Sequence, residues 1–257
     1  YDGLGWTYPE TIYWGRVKIH DLGAFSTSQM RRSVEEGEVS DWDDPRLPTL
    51  RSLKRRGYAP EAMRDFWIDL GLTRKDISVS MATLDKFNTR RIDGDSRRAT
   101  LVRDPVHIEL TCDEGHRTST IELPIHPDHP ERGNRVLHLN WSVKGTGIHI
   151  ESQDAESLKE ERRLRGWADI TATANGATVL RTSREHGRSQ IHWLPDGDGV
   201  TGCVLEHVDG DKIQRTSALI EGSIGSYKHG EIIQLERIGF ATCEHRKEGL
   251  VLMMLHG

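Results

Sequence analysis

From Val102 to its C-terminal end, the chain is a series of short stretches in which apolar and polar residues alternate. These stretches read VHIELTC, TSTIELPI, RVLHLN, TGIHIES, DITATA, ATVLRTS, SQIHWLP, GCVLEHV, EIIQLERIGF and GLVLMMLHG. Turn-forming segments such as DEG, NG, DGDG and VDGD lie between them, which is typical of antiparallel strands. About ten short strands with almost no helical segment between them predict β-barrels or a sandwich. The one break, residues 153–166, is predicted to be a helix or loop between two sheets.

Residues 47–91 have helical spacing instead, which predicts a compact helical subdomain. Leu50 and Leu53 are expected to share one face of its first short helix. Glycines are placed to end two helices, whereas a proline and a serine are placed to start the next two. These residues are Gly57, Pro60, Gly71 and Ser80. Residues 1–38 are mixed, with TIYWGRVKI predicted as a strand and STSQMRRSVEEG as a loop entering a helix. The predicted fold class is mainly β with a small helical subdomain.

The composition limits the kind of partner and compartment. The 257 residues carry a formal net charge of −5, so a nucleic acid would have to bind a local basic face. The three cysteines are far apart and form no CxxC pair, so we expect neither a disulfide framework nor a metal site, and we expect a cytoplasmic location. No apolar run reaches the roughly 20 residues of a membrane helix. The chain begins at Tyr1 in what resembles the middle of a domain, which predicts a portion of a longer protein.

The stretch SDWDDPRLPTLRSLKRRGYAP, residues 40–60, is the densest charge cluster. Several cations on a short helix would suit the phosphates of a nucleic acid. Asp43 and Asp44 could accept hydrogen bonds from helix N–H groups or pair with Arg46. The alternative is a solvated helical face whose charges form local ion pairs.

Several of these motifs resemble one known family. WDDPRLPTL followed by RRGY is similar to the segment after the signature lysine loop of the class I glutamyl- and glutaminyl-tRNA synthetases. The motifs EAMRDFWIDLGLTRKDISVSMATLD, RRATLVRDPV, IHPDHPERGNR, QIHWLP and IIQLERIGF follow in the family's order. GWTYPETIYWGRVKI favours the archaeal type of glutamyl enzyme. The resemblance covers most of the chain and implies two β-barrels of the anticodon-binding type after a short helical bundle.

The resemblance also implies a function and a division of the chain. The parent protein would attach glutamate to tRNA(Glu) with ATP and magnesium, and this chain would be its C-terminal portion without the nucleotide-binding half. Alone, the chain would bind tRNA, would bind no cofactor and would be inactive. The implied parts are the end of the catalytic domain (1–38), a stem-contact subdomain (39–99), a proximal barrel (100–155 and 193–257) and a distal barrel (156–192). A glutaminyl-tRNA synthetase portion, a non-catalytic RNA-binding paralogue and a protein-binding scaffold are alternatives.

The site residues implied by the resemblance fall into two groups. Ser26, Thr27 and Ser28 match the signature loop that closes on ATP, but a position that holds lysine in the family is Gln29 here. That replacement brings no charge to a phosphate, and an ordinary polar loop is the alternative. The implied tRNA-binding residues are Arg98, Gln234 and Arg237 for the middle anticodon base, Arg162 and Arg163 for the third base, and Arg51, Arg55 and Arg56 for the RNA backbone.

Gln234 and Arg237 pose a geometric problem. They are three positions apart, so on a regular strand they would face opposite sides of the sheet. We therefore expect a bulge or a strand end between them.

Overall fold

The computed structural model describes residues 1–19, 26–182, 189–222 and 225–256. The α-helices in these ranges are α1 (Thr27–Glu35), α2 (Leu50–Arg56), α3 (Pro60–Leu70), α4 (Met81–Ile92) and α5 (Ser152–Glu156). Short 3-10 turns occupy Asp2–Leu4, Glu114–His116 and Pro130–Arg132. None of the helices formed by these residues is long and apolar enough to cross a membrane.

Strands make up most of the regular structure. The first nine are β1 (Val17–Ile19), β2 (Ile77–Val79), β3 (Arg98–Ala99), β4 (Leu101–Arg103), β5 (Pro105–Thr111), β6 (Thr120–Pro124), β7 (Asn134–His138), β8 (Thr146–Glu151) and β9 (Arg162–Leu164). The others are β10 (Asp169–Thr173), β11 (Gly176–Arg181), β12 (Gln190–Ile191), β13 (Trp193–Pro195), β14 (Val200–Asp209), β15 (Lys212–Glu221), β16 (Ile232–Leu235), β17 (Gly239–Arg246) and β18 (Gly249–His256). The prediction of a mainly β chain with a small helical part is confirmed.

The predicted helical subdomain is present as α2, α3 and α4. Gly57 ends α2 in the left-handed region (φ 107°) and donates its N–H to the carbonyls of the preceding turn, a conformation that glycine adopts without steric cost. Pro60 begins α3, Gly71 ends it, and Ser80 precedes α4. Their buried faces pack on one another and on the end of β18. The predicted apolar face of α2 is limited to its second leucine, since Leu53 is 6% exposed but Leu50 is 71% exposed.

The first large sheet is nearly closed into a barrel, here called the insert barrel. Its strand order is β12-β9-β10-β11-β5-β8-β13. The two edge strands, β12 and β13, are separated in the chain by His192 alone. The sheet must therefore curl until its edges almost meet, which removes exposed edges. Its core contains the fully buried Leu110, Ile148, Leu164 and Trp193, and the hairpin β6–β7 packs against this core.

The second large sheet, here called the C-terminal barrel, closes in the same way. Its strand order is β3-β16-β17-β18-β14-β15-β4. Only Thr100 separates its edge strands β3 and β4 in the chain. Leu101, Ile220, Ile233 and Leu252 are fully buried in its core. Two barrel-like sheets after a helical bundle match the predicted fold class.

The strand pairing groups the chain differently from the division expected in the sequence analysis. That division placed 100–155 in one barrel with 193–257, but β5 and β8 pair with β11 and β13 inside the insert barrel. The chain leaves the C-terminal barrel at Asp104, whose left-handed backbone (φ 44°) turns it from β4 into β5. It returns between Pro195 and Val200. Apolar alternation does not record which sheet a strand joins, so this crossing point could not be predicted.

Two further differences concern segment lengths. The predicted strand TIYWGRVKI is ordered as a strand only over Val17–Ile19, which pairs in parallel with Ile77–Val79. The segment 153–166 contains most of α5 and all of β9, so it is partly helix, as expected, and partly a strand that the alternation did not reveal. The long strand β15 was also missed, because KIQRTSALIE alternates poorly on its exposed half.

Candidate nucleic-acid interface

A cleft of about 520 Å³ lies between α2 and strands β16 and β17. Its charged walls comprise three cations and three carboxylates, so their formal charges cancel. These residues are Arg51, Lys54, Arg55, Asp41, Asp43 and Glu244. Arg51 and Lys54 are exposed to solvent. The basic run predicted to face RNA therefore lines a concave surface, but carboxylates in the same walls balance its formal charge.

Two of the predicted backbone-binding residues already have partners. Arg55 donates from Nε and Nη2 to the two carboxylate oxygens of Glu244 at 2.8 and 3.1 Å, and its Nη1 lies 3.7 Å from Asp43. Arg56 donates to the carbonyl of Leu255 at 3.0 Å. Local ion pairing, the alternative interpretation of this charge cluster, therefore holds for Arg55. Arg51 and Lys54 remain the cations best placed to meet a ligand.

The WDDPR motif is a structural element rather than a free charged surface. The buried Asp44 carboxylate accepts two hydrogen bonds from the Arg46 side chain, both at 2.8 Å, and one from the Ser40 N–H at 3.0 Å. The predicted pairing of Asp44 with Arg46 is confirmed. Burial opposes ionisation of Asp44, but the donors from Arg46 and Ser40 outweigh it and lower its pKa to about 2. Arg46 also reaches the carbonyl of Asp211 in the β14–β15 turn at 3.3 Å.

This arrangement predicts a pH-dependent contribution of Asp44 to stability. Its folded pKa lies below the unfolded value, so the contribution is complete above about pH 5 and is lost as the pH falls towards 2. We expect Asp44→Asn to lower the free energy of unfolding at pH 7 by on the order of 1–2 kcal/mol, allowing for solvent screening. The deficit should shrink between pH 5 and pH 3 in urea titrations. A deficit that stays constant over this range would contradict the assignment.

The second candidate region lies where β3 meets β16. Gln234 and Arg98 are direct neighbours across this parallel strand pair, so the structure brings these two predicted residues together. The Arg98 side chain is only 7% exposed, and its Nη2 donates to Asp93 at 2.8 Å. Gln234 is half-buried. Arg98 therefore supports the strand end from inside, whereas Gln234 lies nearer to solvent.

The strand end expected between Gln234 and Arg237 is present. β16 ends at Leu235, and Arg237 has a left-handed backbone (φ 61°), which is uncommon outside glycine. This turn takes the exposed Arg237 side chain to the insert barrel, where it donates to the carbonyl of Gln190 at 2.6 Å. Strained positions of this kind often occur at binding sites.

A small polar pocket of about 220 Å³ surrounds Arg237 between the two barrels. Its walls come from β4, β8, β12, α5 and the turn after β16. The lining residues are Arg103, Glu151, Gln153, Asp154, Gln190, His192, Arg237 and Ile238. Donors and acceptors converge here from both barrels, a lining suited to a polar, planar group.

His192 is one of the pocket residues that sequence reasoning missed, since Arg237 alone of this lining was predicted. It is 6% exposed, and its Nε2 has no hydrogen-bond partner among the described residues. Burial, together with the nearby positive charges of Arg165 and Arg237, lowers its pKa to about 4, so it is neutral near pH 7 and offers one donor and one acceptor. A buried polar atom without a partner is costly. The sequence signal was only a histidine between two apolar strand residues.

The two arginines predicted to act as a basic pair are not brought together. On the short strand β9, Arg162 is half-buried and pairs with Glu160 at 2.9 Å. Arg163 is 7% exposed and donates to Asp169 and to the carbonyl of Trp167, both at 2.9 Å. Neighbouring residues on a strand face opposite sides, which explains the separation.

The signature-loop residues form the start of a helix. Ser26 caps α1, since its Oγ accepts from the N–H of Gln29 at 3.2 Å and the Gln29 side chain accepts from the N–H of Ser26 at 2.9 Å. This is a capping box, in which Gln29 occupies the position that is usually glutamate or glutamine. Thr27 and Ser28 are exposed in the first turn. The first two residues of AFSTSQMRR, at positions 24 and 25, lie outside the described residues.

Comparison with known proteins decides the family. Residues 1–94 match the model for the catalytic domain of class I (E and Q) tRNA synthetases, and residues 96–182 match the model for the anti-codon binding domain of the same class. The chain belongs to the class I E and Q tRNA synthetases. The boundary between the two matched ranges falls between α4 and β3, where the helical subdomain gives way to the barrels.

Archaeal members of the family match across the chain. A protein named glutamate–tRNA ligase from Methanococcoides burtonii is 36% identical over 100% of this chain and 44% of its own length. One from Methanothrix thermoacetophila is 38% identical over 100% of this chain and 44% of its own length. One from Pyrococcus abyssi is 34% identical over 95% of this chain and 43% of its own length. The chain thus spans less than half the length of these relatives.

In this member of the synthetase family, a buried ionic cluster joins the two barrels and the hairpin β6–β7. It lies next to the polar pocket around Arg237, here called the interbarrel pocket. Arg135 from β7 is fully buried, donates a hydrogen bond to Glu221 and forms an ion pair with Glu236, both of the C-terminal barrel. Glu236 also lies 2.6 Å from Arg165, at the end of β9. The Thr100 N–H donates to Glu221 at 2.5 Å. The cluster therefore fixes the hairpin β6–β7 and both barrels around the residue that directly precedes Arg237.

Proposed function

We propose that this chain is the tRNA-binding portion of a glutamate–tRNA ligase, which attaches glutamate to tRNA(Glu) using ATP and magnesium in the cytoplasm. The observation that carries the proposal is the similarity of the whole chain to archaeal proteins named glutamate–tRNA ligase, with an anticodon-binding match over 96–182. In this proposal glutamate and ATP belong to the activity of the parent protein. The isolated 257-residue chain binds RNA and does not aminoacylate it.

The interbarrel pocket is proposed to hold an unpaired anticodon base. Such bases are recognised through their polar edges. Arg237 supplies guanidinium donors, and neutral His192 supplies one donor and one acceptor. Gln234, at the end of the neighbouring strand, adds an amide that both donates and accepts. Arg98 stands behind Gln234 and is proposed to orient this strand end through its bond to Asp93.

The cleft beside α2 is proposed to hold the RNA backbone near its inner bend. Arg51 and Lys54 are exposed on one wall, and cations in this position neutralise phosphates without regard to base sequence. The half-buried Arg162, which pairs with Glu160, is kept as a candidate contact for the third anticodon base. Arg163 is engaged in the interior of the insert barrel, so its contribution is to hold β9 in place. Ser26, Thr27 and Ser28 are kept as candidates at the ATP end of the parent protein.

The proposal predicts that Arg51→Ala/Lys54→Ala weakens tRNA binding through lost phosphate contacts. The slope of log affinity against log salt should flatten by about 1.5, since each phosphate contact contributes roughly 0.7–0.9. The loss should be equal for tRNA(Glu) and for a variant with a changed anticodon. Fluorescence anisotropy with labelled tRNA, at KCl concentrations of about 50–300 mM, measures both quantities.

Lys144→Ala/Lys159→Ala removes the same charge from exposed positions on the insert barrel and is the control. An equal loss in this control would remove the special role of the α2 cleft. Failure of the wild-type chain to bind any tRNA would reject the proposed function. Glutamylation of tRNA by the isolated chain would contradict the proposal that the chain alone is inactive. Tighter binding of tRNA(Gln) than of tRNA(Glu) would move the assignment to the glutaminyl branch of the family.

A further inference from the structure

Arg55 is the first cation in a ladder of alternating charges that crosses the C-terminal barrel. The ladder begins in the α2 cleft and passes from β17 to β14 and β15. Its members, in spatial order, are Asp43, Arg55, Glu244, Arg246, Glu206, Arg215 and Glu248. Residues that lie 189 positions apart in the chain are thus in direct contact.

Glu244 is the carboxylate of this ladder that two arginines, Arg55 and Arg246, share. Its carboxylate accepts two hydrogen bonds from Arg55, at 2.8 and 3.1 Å, and two from Arg246, at 2.9 and 2.7 Å. Its side chain is 7% exposed, whereas that of Arg55 is 26% exposed and faces the cleft. Arg246 is in turn held by both oxygens of Glu206, at 2.7 and 2.8 Å.

The pairing of Arg55 with Glu244 favours the charged form of both side chains. Burial opposes ionisation of Glu244, but the hydrogen bonds from Arg55 and Arg246 outweigh it and lower its pKa. The hydrogen bonds that Arg55 donates to Glu244 raise the pKa of Arg55. In the free protein, Glu244 and Asp43 therefore neutralise the positive charge that Arg55 would offer to a ligand.

We propose that Glu244 is a built-in counter-ion that competes with an RNA phosphate for Arg55. This inference rests on the proposed function of the α2 cleft. A phosphate that enters the cleft accepts the hydrogen bonds of the Arg55 guanidinium in place of the Glu244 carboxylate. Glu244 is not left without a partner, because Arg246 stays bound to it. That second arginine makes the exchange feasible, since stranding a buried carboxylate would be strongly unfavourable.

The exchange gives the cleft a selective character. RNA that reaches the cleft with correctly placed phosphates gains Arg55 as a third cation beside Arg51 and Lys54. An RNA that meets the surface only loosely finds a cleft whose charges cancel. Glu244 thus lowers the sequence-independent attraction that exposed cations would otherwise create, and makes Arg55 a contact that forms only in the fitted complex.

The test is the variant Glu244→Gln, which keeps the shape of the side chain and removes its charge. We expect tRNA to bind about three- to fivefold more tightly at low salt. The slope of log affinity against log salt should steepen by up to about 0.9. Glu248→Gln removes the same charge at the far end of the ladder, where Glu248 pairs with Arg215 at 3.0 Å, and should leave both quantities nearly unchanged.

A double-mutant comparison shows whether the effect passes through Arg55. In an Arg55→Ala background, Glu244→Gln should no longer tighten binding. If wild type binds tRNA but Glu244→Gln behaves like Glu248→Gln, or if its effect survives without Arg55, the inference is overturned while the proposed function stands. If wild type does not bind, the proposed function itself fails. Should Glu244→Gln not fold, Asp43→Asn, at an exposed carboxylate 3.7 Å from Arg55, should give a smaller gain, and no gain there overturns the inference.

Discussion

Replacing Arg135 with methionine is expected to lower the free energy of unfolding by about 3–5 kcal/mol. The Arg135 side chain is fully buried and forms ion pairs with two buried carboxylates, Glu221 and Glu236. Methionine fills much of the same volume, so the main effect is the loss of charge rather than a cavity. Two carboxylates would remain in the interior with one fewer cation between them. Urea unfolding at pH 7, followed by tryptophan fluorescence, measures the loss.

Arg132→Met provides the matched control. Arg132 lies in the turn just before β7, is exposed, and lies 3.9 Å from Asp95, so its replacement should change stability by less than about 0.5–1 kcal/mol. Combining Arg135→Met with Glu221→Gln should recover part of the stability, because one uncompensated charge is removed. If Arg135→Met were no more destabilising than Arg132→Met, the cluster would not hold the barrels together electrostatically.

The second large effect is expected on anticodon discrimination. Arg237→Ala should reduce the preference for tRNA(Glu) over a tRNA with a changed middle anticodon base by about 10- to 100-fold, which corresponds to roughly 1–3 kcal/mol per lost base contact. Its guanidinium lines the interbarrel pocket, and its left-handed backbone places it there. Gln234→Ala should act in the same direction with a smaller effect, since Gln234 is half-buried on β16 and does not itself line the pocket.

Competition binding with the two tRNAs gives the discrimination ratio directly. Arg162→Ala removes one positive charge from the insert barrel and should leave discrimination at the middle base unchanged. A variant Arg237→Ala that binds both tRNAs more weakly but in the same ratio would identify Arg237 as a phosphate contact and not as a base reader.

Local elements were predictable because local chemistry determines them. Gly57, Pro60 and Gly71 mark helix ends through their backbone preferences, and the structure confirms those ends. Period-two alternation located most strands. It could not say which barrel β5 joins, since that depends on the turn at Asp104. The alternation of apolar and polar residues within a strand does not identify the distant strand with which it pairs.

The candidate site was predictable only in part, for similar reasons. The strand end between Gln234 and Arg237 follows from their spacing. The pairing of Arg55 with Glu244 could not be foreseen, because 189 positions separate them. The inward turn of Arg98 depends on Asp93, which the sequence offers only as one acid among many. An arginine counted from a sequence is a charge, and only the fold decides which carboxylate it meets.

The crossing at Asp104 makes the insert barrel an insertion between two strands of the C-terminal barrel. It begins after β4 and ends before β14, so length changes within it would leave the strand pairing of the C-terminal barrel intact. The inserted segment nevertheless supplies Arg135, the cation between two acids of the C-terminal barrel, Glu221 and Glu236. Removing the insert barrel would therefore leave two buried acids, Glu221 and Glu236, without the arginine that lies between them. The C-terminal barrel carries an insertion, but its interior charge balance depends on that insertion.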